Sequence, residues 1–334
     1  MPMLLSKNFV GLDMKKNILV TGGAGFIGSH IVDALIERKF NVIVLDNLVT
    51  GNKDFVNKEA QFAKGDICKE KDLDKLFSKY KFHAVLHLAG QPSIVNSFTS
   101  PRLDAETNFL GTMNMVTKCI QYKINRFLYA SSMTVYGNPD KLPIKETASC
   151  VPINYYGVAK YASERFVHIT ADRIDLKNKF NATSFRMFNV YGPRQSLTNP
   201  YQGVLAIFMG NVLRNEKITI YGDGKQARDF VYVKDVARTW VEAIDNKKSF
   251  NQVINIGYGK RTHILPLAQK VIKACGQDPE KYPFKFMPDR PGNQKIVESD
   301  TTLAKKLLNF KCNFTLQEGL NETLQWAMKY GKKN

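Results

Sequence analysis

Tyr156 and Lys160 are the residues whose types and spacing most directly suggest chemistry. They stand four apart in Tyr156-Gly-Val-Ala-Lys160, so on a helix they share one face, a single turn apart. A lysine ammonium beside a phenol favours the phenolate, so the spacing predicts a lowered tyrosine pKa. A phenol tuned towards working pH can take and return a proton on a substrate hydroxyl. Ser131-Ser132 lies upstream of the pair. Spacing alone is weak evidence. The chain repeats it in Tyr221-Gly-Asp-Gly-Lys225, where Gly222 and Gly224 around Asp223 read as a turn and the facing argument fails.

The first half of the chain supplies what such a phenol would work beside. Asn17 to Thr21 is a short apolar run, expected as a buried parallel strand. It feeds Gly22-Gly-Ala-Gly25-Phe26-Ile27-Gly28 and then an apolar-periodic helix through Ile31, Leu35 and Ile36. Gly23, Gly25 and Gly28 satisfy G-x-G-x-x-G; Gly22, Gly25 and Gly28 satisfy G-x-x-G-x-x-G. Both spacings let the backbone turn tightly, approach a pyrophosphate and pack helix on strand. The helix N-terminus then offers its free N–H groups to the phosphates. A second strand over residues 41–45 ends at Asp46, 18 residues beyond Gly28. A carboxylate there binds a ribose and repels a 2′-phosphate, which predicts NAD rather than NADP.

The rhythm continues with a strand over 61–65 ending in Asp66-Ile67, a helix over 72–80 and a strand over 84–88 running into Ala89-Gly90. A long helix over 103–122 and a strand over 126–130 lead to Ser131-Ser132. This alternation predicts an α/β fold, a Rossmann-type doubly wound parallel sheet. Ligands in such sheets collect beyond the carboxyl ends of strands. Asp46, Asp66, Ala89-Gly90 and Ser131-Ser132 all fall at such ends. Pro143 and Pro152 punctuate a loop before a helix over 155–171 that carries Tyr156 and Lys160. A strand over 182–188 ends in Asn189-Val-Tyr-Gly-Pro-Arg194, after which short elements alternate with loops rich in Gly, Pro and Asn. The expected organisation is a loose extension over 1–13, a cofactor-binding domain over 14–190 and a smaller C-terminal α+β substrate domain over 191–334. Segments near 229–258, including a helix over 236–244 and a strand over 253–256, are expected to return to the first domain.

Composition narrows the class. Of 334 residues, 44% are hydrophobic and 23% charged, ordinary values for a soluble globular protein. No apolar run is long enough for a membrane span. The apolar residues near the start are broken by Ser6, Lys7 and Asn8, unlike a signal peptide, and Met14-Lys15-Lys16 reads as an alternative start. Five scattered cysteines (Cys68, Cys119, Cys150, Cys275, Cys312) and five unclustered histidines predict free thiols in a reducing cytoplasm and no metal. The formal charge of +18 comes from lysines spread along the chain, with only a short tail from Lys329 to Lys333. That distribution reads as a solvated surface that attracts anionic substrates, not as a nucleic-acid stripe.

Together these residues resemble the extended short-chain dehydrogenase/reductase family, specifically its nucleotide-sugar epimerases of the UDP-glucose 4-epimerase type. The resemblance runs from Met14 onward. It rests on Thr21-Gly-Gly-Ala-Gly-Phe-Ile-Gly28, Asp46-Asn-Leu48, Gly65-Asp-Ile67, His87-Leu-Ala-Gly90, Asn108-Phe-Leu-Gly-Thr112 and Ser131-Ser-Met-Thr-Val-Tyr-Gly137. It rests equally on Tyr156 to Lys160, Arg186-Met-Phe-Asn-Val-Tyr-Gly-Pro-Arg194, Tyr221 to Phe230 and Arg290-Pro-Gly292.

The resemblance implies that Ser132, Tyr156 and Lys160 are catalytic. Gly22, Gly25, Phe26, Ile27 and Gly28 would hold the NAD pyrophosphate, with Leu88, Ala89 and Gly90 alongside. Asp46 and Asn47 would meet the adenosine ribose, Asp66 and Ile67 the adenine, and Asn108 and Phe188 complete the cofactor set. Ser93, Asn189, Gly203, Val204, Arg228, Arg290 and Val297 would contact the nucleotide sugar, the two arginines at its diphosphate. Dehydratases of this kind place Asp-Glu after the catalytic serine or threonine, and glucuronate decarboxylases carry a Glu there. Here those positions are Met133 and Thr134, which implies plain C4 epimerisation of a UDP-hexose through a 4-keto sugar. Counting back from Asp300 makes Val297 a small gate residue, which would admit N-acetylated sugars. The resemblance also implies a homodimer joined through the helices over 103–122 and 155–172. Other readings are an epimerase or decarboxylase of another nucleotide sugar (dTDP-, GDP-, CDP- or UDP-glucuronate), or a non-catalytic NAD-binding regulator.

Overall fold

The computed structural model describes residues 15–199 and 203–330. The extension over 1–13, the alternative start at Met14 and the end of the lysine tail lie outside the described residues. β1 (Asn17–Thr21) is buried from Ile18 onward, as a strand covered on both faces must be. Then come α1 (Phe26–Glu37), β2 (Asn41–Asp46), β3 (Gln61–Lys64), α2 (Glu70–Lys79) and β4 (Ala84–His87). A short α3 (Ile94–Thr99) precedes α4 (Pro101–Ala105), which runs through a π-helical turn at Glu106–Leu110 into α5 (Gly111–Gln121). The sequence pattern predicts one uniform helix from 103. The structure starts it at Pro101, where a proline's fixed φ suits the first turn, and interrupts it with the π turn.

β5 (Arg126–Ser132), α6 (Tyr155–Ala171) and β6 (Asn181–Met187) complete the first half. The rest comprises β7 (Asn189–Tyr191), α7 (Val204–Leu213), β8 (Ile218–Tyr221), β9 (Ala227–Tyr232), α8 (Val233–Ala243), β10 (Gln252–Ile256), β11 (Arg261–His263), α9 (Ile264–Ala274), β12 (Phe284–Met287), α10 (Thr302–Leu308) and α11 (Leu316–Tyr330).

Seven strands form one parallel sheet in the order β10-β6-β5-β4-β1-β2-β3. This is the Rossmann-type α/β sheet expected from the sequence. Side chains alternate across it. Ile18 and Val20 of β1 pack into the core with α1 and α8, while Leu19 joins the opposite core with α2 and α5. β10 lies at the edge beside β6 and α8 packs on α1, but β9 pairs with β7 and β11 in a separate three-stranded sheet. β8 and β12 form a parallel pair of their own. A further core gathers Leu205, Phe208, Ile218, Ile220, Leu267 and Leu320 around these later elements.

Two features of this frame position the chemistry. Strand order reverses between β1 and β4, which opens a crevice beyond their carboxyl ends. A buried ion pair then fixes α6 to the sheet: Glu164 of α6 accepts from Arg186 of β6 through Nη2 (2.5 Å) and Nε (3.0 Å), and from Ser131 Oγ of β5 (2.6 Å). Removing one partner of such a pair leaves an uncompensated buried charge.

Candidate active site

The glycine turn is built by close approach. Gly22 takes φ +70°, and a Cβ on Gly28 would stand 2.1 Å from the Gly22 carbonyl oxygen. α1 begins with Gly25 as its N-cap, with no side-chain cap and no acid in its first turn. Its leading N–H groups therefore remain available to an anion. At the end of β2, the Asp46 carboxylate accepts from the N–H groups of Ala24 (3.0 Å) and Leu48 (2.8 Å). Burial raises its pKa and these two bonds lower it. A carboxylate has about four lone-pair positions, so capacity remains for ribose hydroxyls. One cavity of about 400 Å³ is lined by this turn, Asp46, Asn47, Asp66, Ile67, Leu88, Ala89, Gly90, Ser93, Tyr156 and Lys160. A cradle that side chains would fill, a helix N-terminus and a ribose-facing acid in one cavity fit a dinucleotide without a 2′-phosphate.

A buried chain of hydrogen bonds braces the cradle. The Ala89 N–H donates to Thr21 Oγ1 (3.2 Å), which lies 2.7 Å from His87 Nδ1. His87 Nε2 lies 3.0 Å from Thr112 Oγ1, which donates to the Asn108 carbonyl (2.7 Å) inside the π turn. Ser163 of α6 donates to the same carbonyl (2.8 Å). With the Thr112 hydrogen directed at Asn108, His87 donates through Nε2 and accepts at Nδ1. It is therefore neutral, and burial, aided by the charge of Lys160, lowers its pKa to about 3.

Ser132 ends β5, and its Oγ accepts from both the N–H (3.2 Å) and the hydroxyl (2.9 Å) of Thr134. Those two donors leave the Ser132 proton free to be given elsewhere. Tyr156 sits in the first turn of α6, whose N-cap Asn154 accepts from the Gly157 N–H at 2.8 Å. The shared helical face is as the spacing requires, but the expected pKa shift is not. Burial pushes Tyr156 up to about 12; a Ser132 hydrogen bond lowers it and the charge of Asp104 raises it. Lys160 Nζ lies 5.9 Å from the Tyr156 ring centroid and 5.0 Å from that of Tyr129. Desolvation of the phenolate therefore sets the direction of the shift. Burial also lowers Lys160 to about 8, against the charge of Asp104, which raises it.

The remaining sequence-selected residues divide. Asn108 stands directly behind Gly90, where a Cβ would meet its Oδ1 at 2.5 Å. Ser93 lines the cavity and uses its Oγ to accept from the Asn96 N–H (3.1 Å) at the start of α3. Phe188 and Val297 belong instead to a buried cluster with Met133, Val135, Tyr136 and Ile144. Val297 is fully buried there, packed as core and absent from the cavity lining. Asn189 opens β7 with a buried Oδ1 that has no partner among the described residues. Gly203, at φ +75°, caps α7 ahead of Val204. Arg228 of β9 is buried and donates to the carbonyls of Ala227 (2.9 Å) and Lys295 (3.2 Å) and to Asn293 Oδ1 (2.5 Å). Burial lowers its pKa to about 10. The Arg290 guanidinium stacks 3.6 Å from the ring centroid of Tyr221, so the second Tyr-x-x-x-Lys motif supplies a stacking platform. Asn154 Nδ2 donates to the Gly292 carbonyl (3.2 Å), which ties the Arg290-Pro-Gly292 segment to the cap of the helix bearing Tyr156. The sequence does not point to Asn154 or Asp104, nor to the hydrogen bonds that Thr134 gives Ser132 and that join His87 to Thr112. Only Asn154, an N-cap residue three before Gly157, carries a local signal that could have found it.

Residues 18–257 match the family model described as NAD dependent epimerase/dehydratase family. A putative UDP-glucose 4-epimerase of Methanocaldococcus jannaschii is 38% identical over 314 residues, covering 92% of this chain and 97% of that protein. The solved UDP-glucose 4-epimerase of Thermotoga maritima, with UDP-glucose, is 39% identical with a TM-score of 0.88, covering 94% of this chain and 99% of its own. The Thermus thermophilus UDP-glucose 4-epimerase, complexed with NAD, is 32% identical with a TM-score of 0.87, at the same coverage of both chains. The chain thus belongs to the NAD dependent epimerase/dehydratase family, as an NAD-dependent isomerase of the UDP-glucose 4-epimerase kind.

Proposed function

We propose that this enzyme interconverts the C4 epimers of a UDP-hexose, UDP-glucose and UDP-galactose above all. Met133 and Thr134 carry the reading. Met133 is packed in an apolar cluster and the Thr134 hydroxyl is engaged by Ser132, so neither position offers a second acid or base for eliminating water. Tyr156 takes the proton of the sugar 4-hydroxyl and later returns it, while Ser132 donates its hydrogen to the same oxygen. NAD, when bound, supplies a reversible hydride acceptor. Lys160, in the cavity that fits the dinucleotide, would hold the nicotinamide ribose of bound NAD. The 4-keto sugar turns in place and is reduced on its other face, with no net oxidation. Arg228 and Arg290 suit the diphosphate, and the unpartnered Asn189 Oδ1 accepts from a substrate hydroxyl. The buried position of Val297 leaves Gly203 and Ser93 as the better candidates for making room for an N-acetyl group.

Purified protein incubated with UDP-galactose, UDP-N-acetylglucosamine, UDP-glucuronate and the dTDP-, GDP- and CDP-hexoses tests the reading. The expected result is a UDP-glucose/UDP-galactose equilibrium. Turnover of another nucleotide sugar alone, or release of CO2, overturns it.

The five cysteines are all free, which suits a reducing, cytoplasmic location. No helix among the described residues is long and apolar enough to cross a membrane. Leu103 and Leu110 along α4 and the π turn, and Val158 and Ile169 on α6, expose apolar side chains, which supports a homodimer through these helices. The double variant Val158→Asp/Ile169→Asp is expected to sediment as a monomer where the wild type sediments as a dimer. A dimer that survives both charges places the interface elsewhere.

A further inference from the structure

Asp104 is 1% exposed yet carries a carboxylate that is only half engaged. Its Oδ1 accepts from Gln91 Nε2 (2.7 Å) and Asn108 Nδ2 (2.9 Å), while Oδ2 is buried without a partner among the described residues. The same Asn108 stands behind Gly90, and the position of a Gly90 Cβ is 3.6 Å from Lys160 Nζ. Asp104, Asn108, Gly90 and Lys160 are thus successive neighbours beneath the cavity, held together by the π turn and by the Ser163 bond from α6 to Asn108. A π turn inside an α-helix commonly marks a functional position. No amide or hydroxyl in this cluster would require a negative charge for packing alone, and burying a carboxylate is costly unless a cation repays it.

We propose that Asp104 is a positioning residue that acts through Lys160 across the Asn108–Gly90 step, as the buried negative charge that complements the lysine beside the cofactor cradle. Lys160 Nζ lies over the rings of Tyr129 of β5 and Tyr156 of α6, and its charge interacts with neutral His87 of β4 and with Asp104 of α4. Among the charged groups so placed, only Asp104 opposes the loss of the lysine proton on burial. Its charge also makes the Tyr156 phenol less acidic. Asp104 therefore moves both members of the couple upward together, and removing its charge lowers both. This rests on Tyr156 and Lys160 forming the acid–base couple.

Asp104→Asn keeps the shape and an acceptor for Gln91 or Asn108 while removing the charge. Both limbs of the kcat/KM–pH profile, which belong to the couple as a unit, are expected to move to lower pH by about one unit. Asp104→Glu is expected to restore part of the shift. A profile that stays in place while kcat or KM changes makes Asp104 a tether only, and overturns the proposal. The second measurement needs neither a folded variant nor activity. In the wild-type protein, the carboxyl carbon of Asp104 and the ε-carbon of Lys160 are titrated by NMR. Both groups are expected to be charged at neutral pH. A protonated Asp104 or a neutral Lys160 there sinks the proposal even if epimerisation is confirmed, whereas charged groups in a protein that turns over no nucleotide sugar would leave this proposal standing and remove the functional one.

Discussion

Tyr156→Phe is expected to lower kcat by about 10²–10⁴-fold, the usual range for a positioned acid–base group. The ring is half-buried at the start of α6, against the cavity, so phenylalanine fills the same space and only the hydroxyl is lost. Because that hydroxyl acts on a proton in flight, the loss falls on kcat and kcat/KM alike, with KM little changed. Bound NAD, read by absorbance after denaturation, and the circular dichroism spectrum are expected to match the wild type. The pH dependence follows in sign. Burial places the phenol at about 12 from the protein's own groups, so protonation dominates at neutral pH and kcat/KM rises as the proton is lost. The Ser132 hydrogen bond lowers that pKa, so Ser132→Ala is expected to displace the kcat/KM–pH profile, which belongs to the Tyr156–Lys160 couple, to higher pH. A Tyr156→Phe enzyme within tenfold of wild type would assign the proton transfer to another group in the cavity.

Sequence and structure agree most closely where the physics is local. β1, the glycine turn, α1, β2 and Asp46 follow one another in sequence, and each element's residues demand its own conformation, so this unit was legible residue by residue. Tyr156 and Lys160 were legible as a shared helix face, because that depends only on helical period. The phenol's acidity was not legible, because it depends first on burial by elements distant in the chain, not on the local Tyr-to-Lys spacing. The π turn has no compositional signature, so the cluster around Asn108 and Asp104 stayed hidden in an ordinary-looking helix. Val297 was placed by counting from Asp300 alone. The backbone bridge between Ala227 and Ile296 fixes the neighbouring register and carries Val297 into the cluster under Phe188. Sequence could not show that bridge, which joins segments far apart in the chain.

Gly28→Ala is expected to empty the enzyme of NAD. The added methyl would stand 2.1 Å from the Gly22 carbonyl oxygen, 2.9 Å from its carbon and 2.9 Å from the Gly23 Cα. All three are backbone atoms, so no side chain can rotate away. Either α1 slides back from the turn or the turn opens. Overpacking of this kind typically costs about 1–3 kcal/mol. The functional loss is expected to be larger, because the turn and the first N–H groups of α1 together make up the proposed phosphate cradle. A displacement of about 1 Å in such a positioned site can cost about 100-fold. NAD content after purification and a direct binding titration measure it. Gly276→Ala separates cradle loss from general destabilisation. Gly276 has φ +79° with no atom within 4 Å of an added methyl, so its substitution strains the backbone by about 1–2 kcal/mol far from any clash. That variant is expected to melt earlier and still carry NAD. If both variants lose NAD in proportion to their drop in Tm, the cofactor is lost through global instability, and the cradle assignment of Gly22, Gly25 and Gly28 fails.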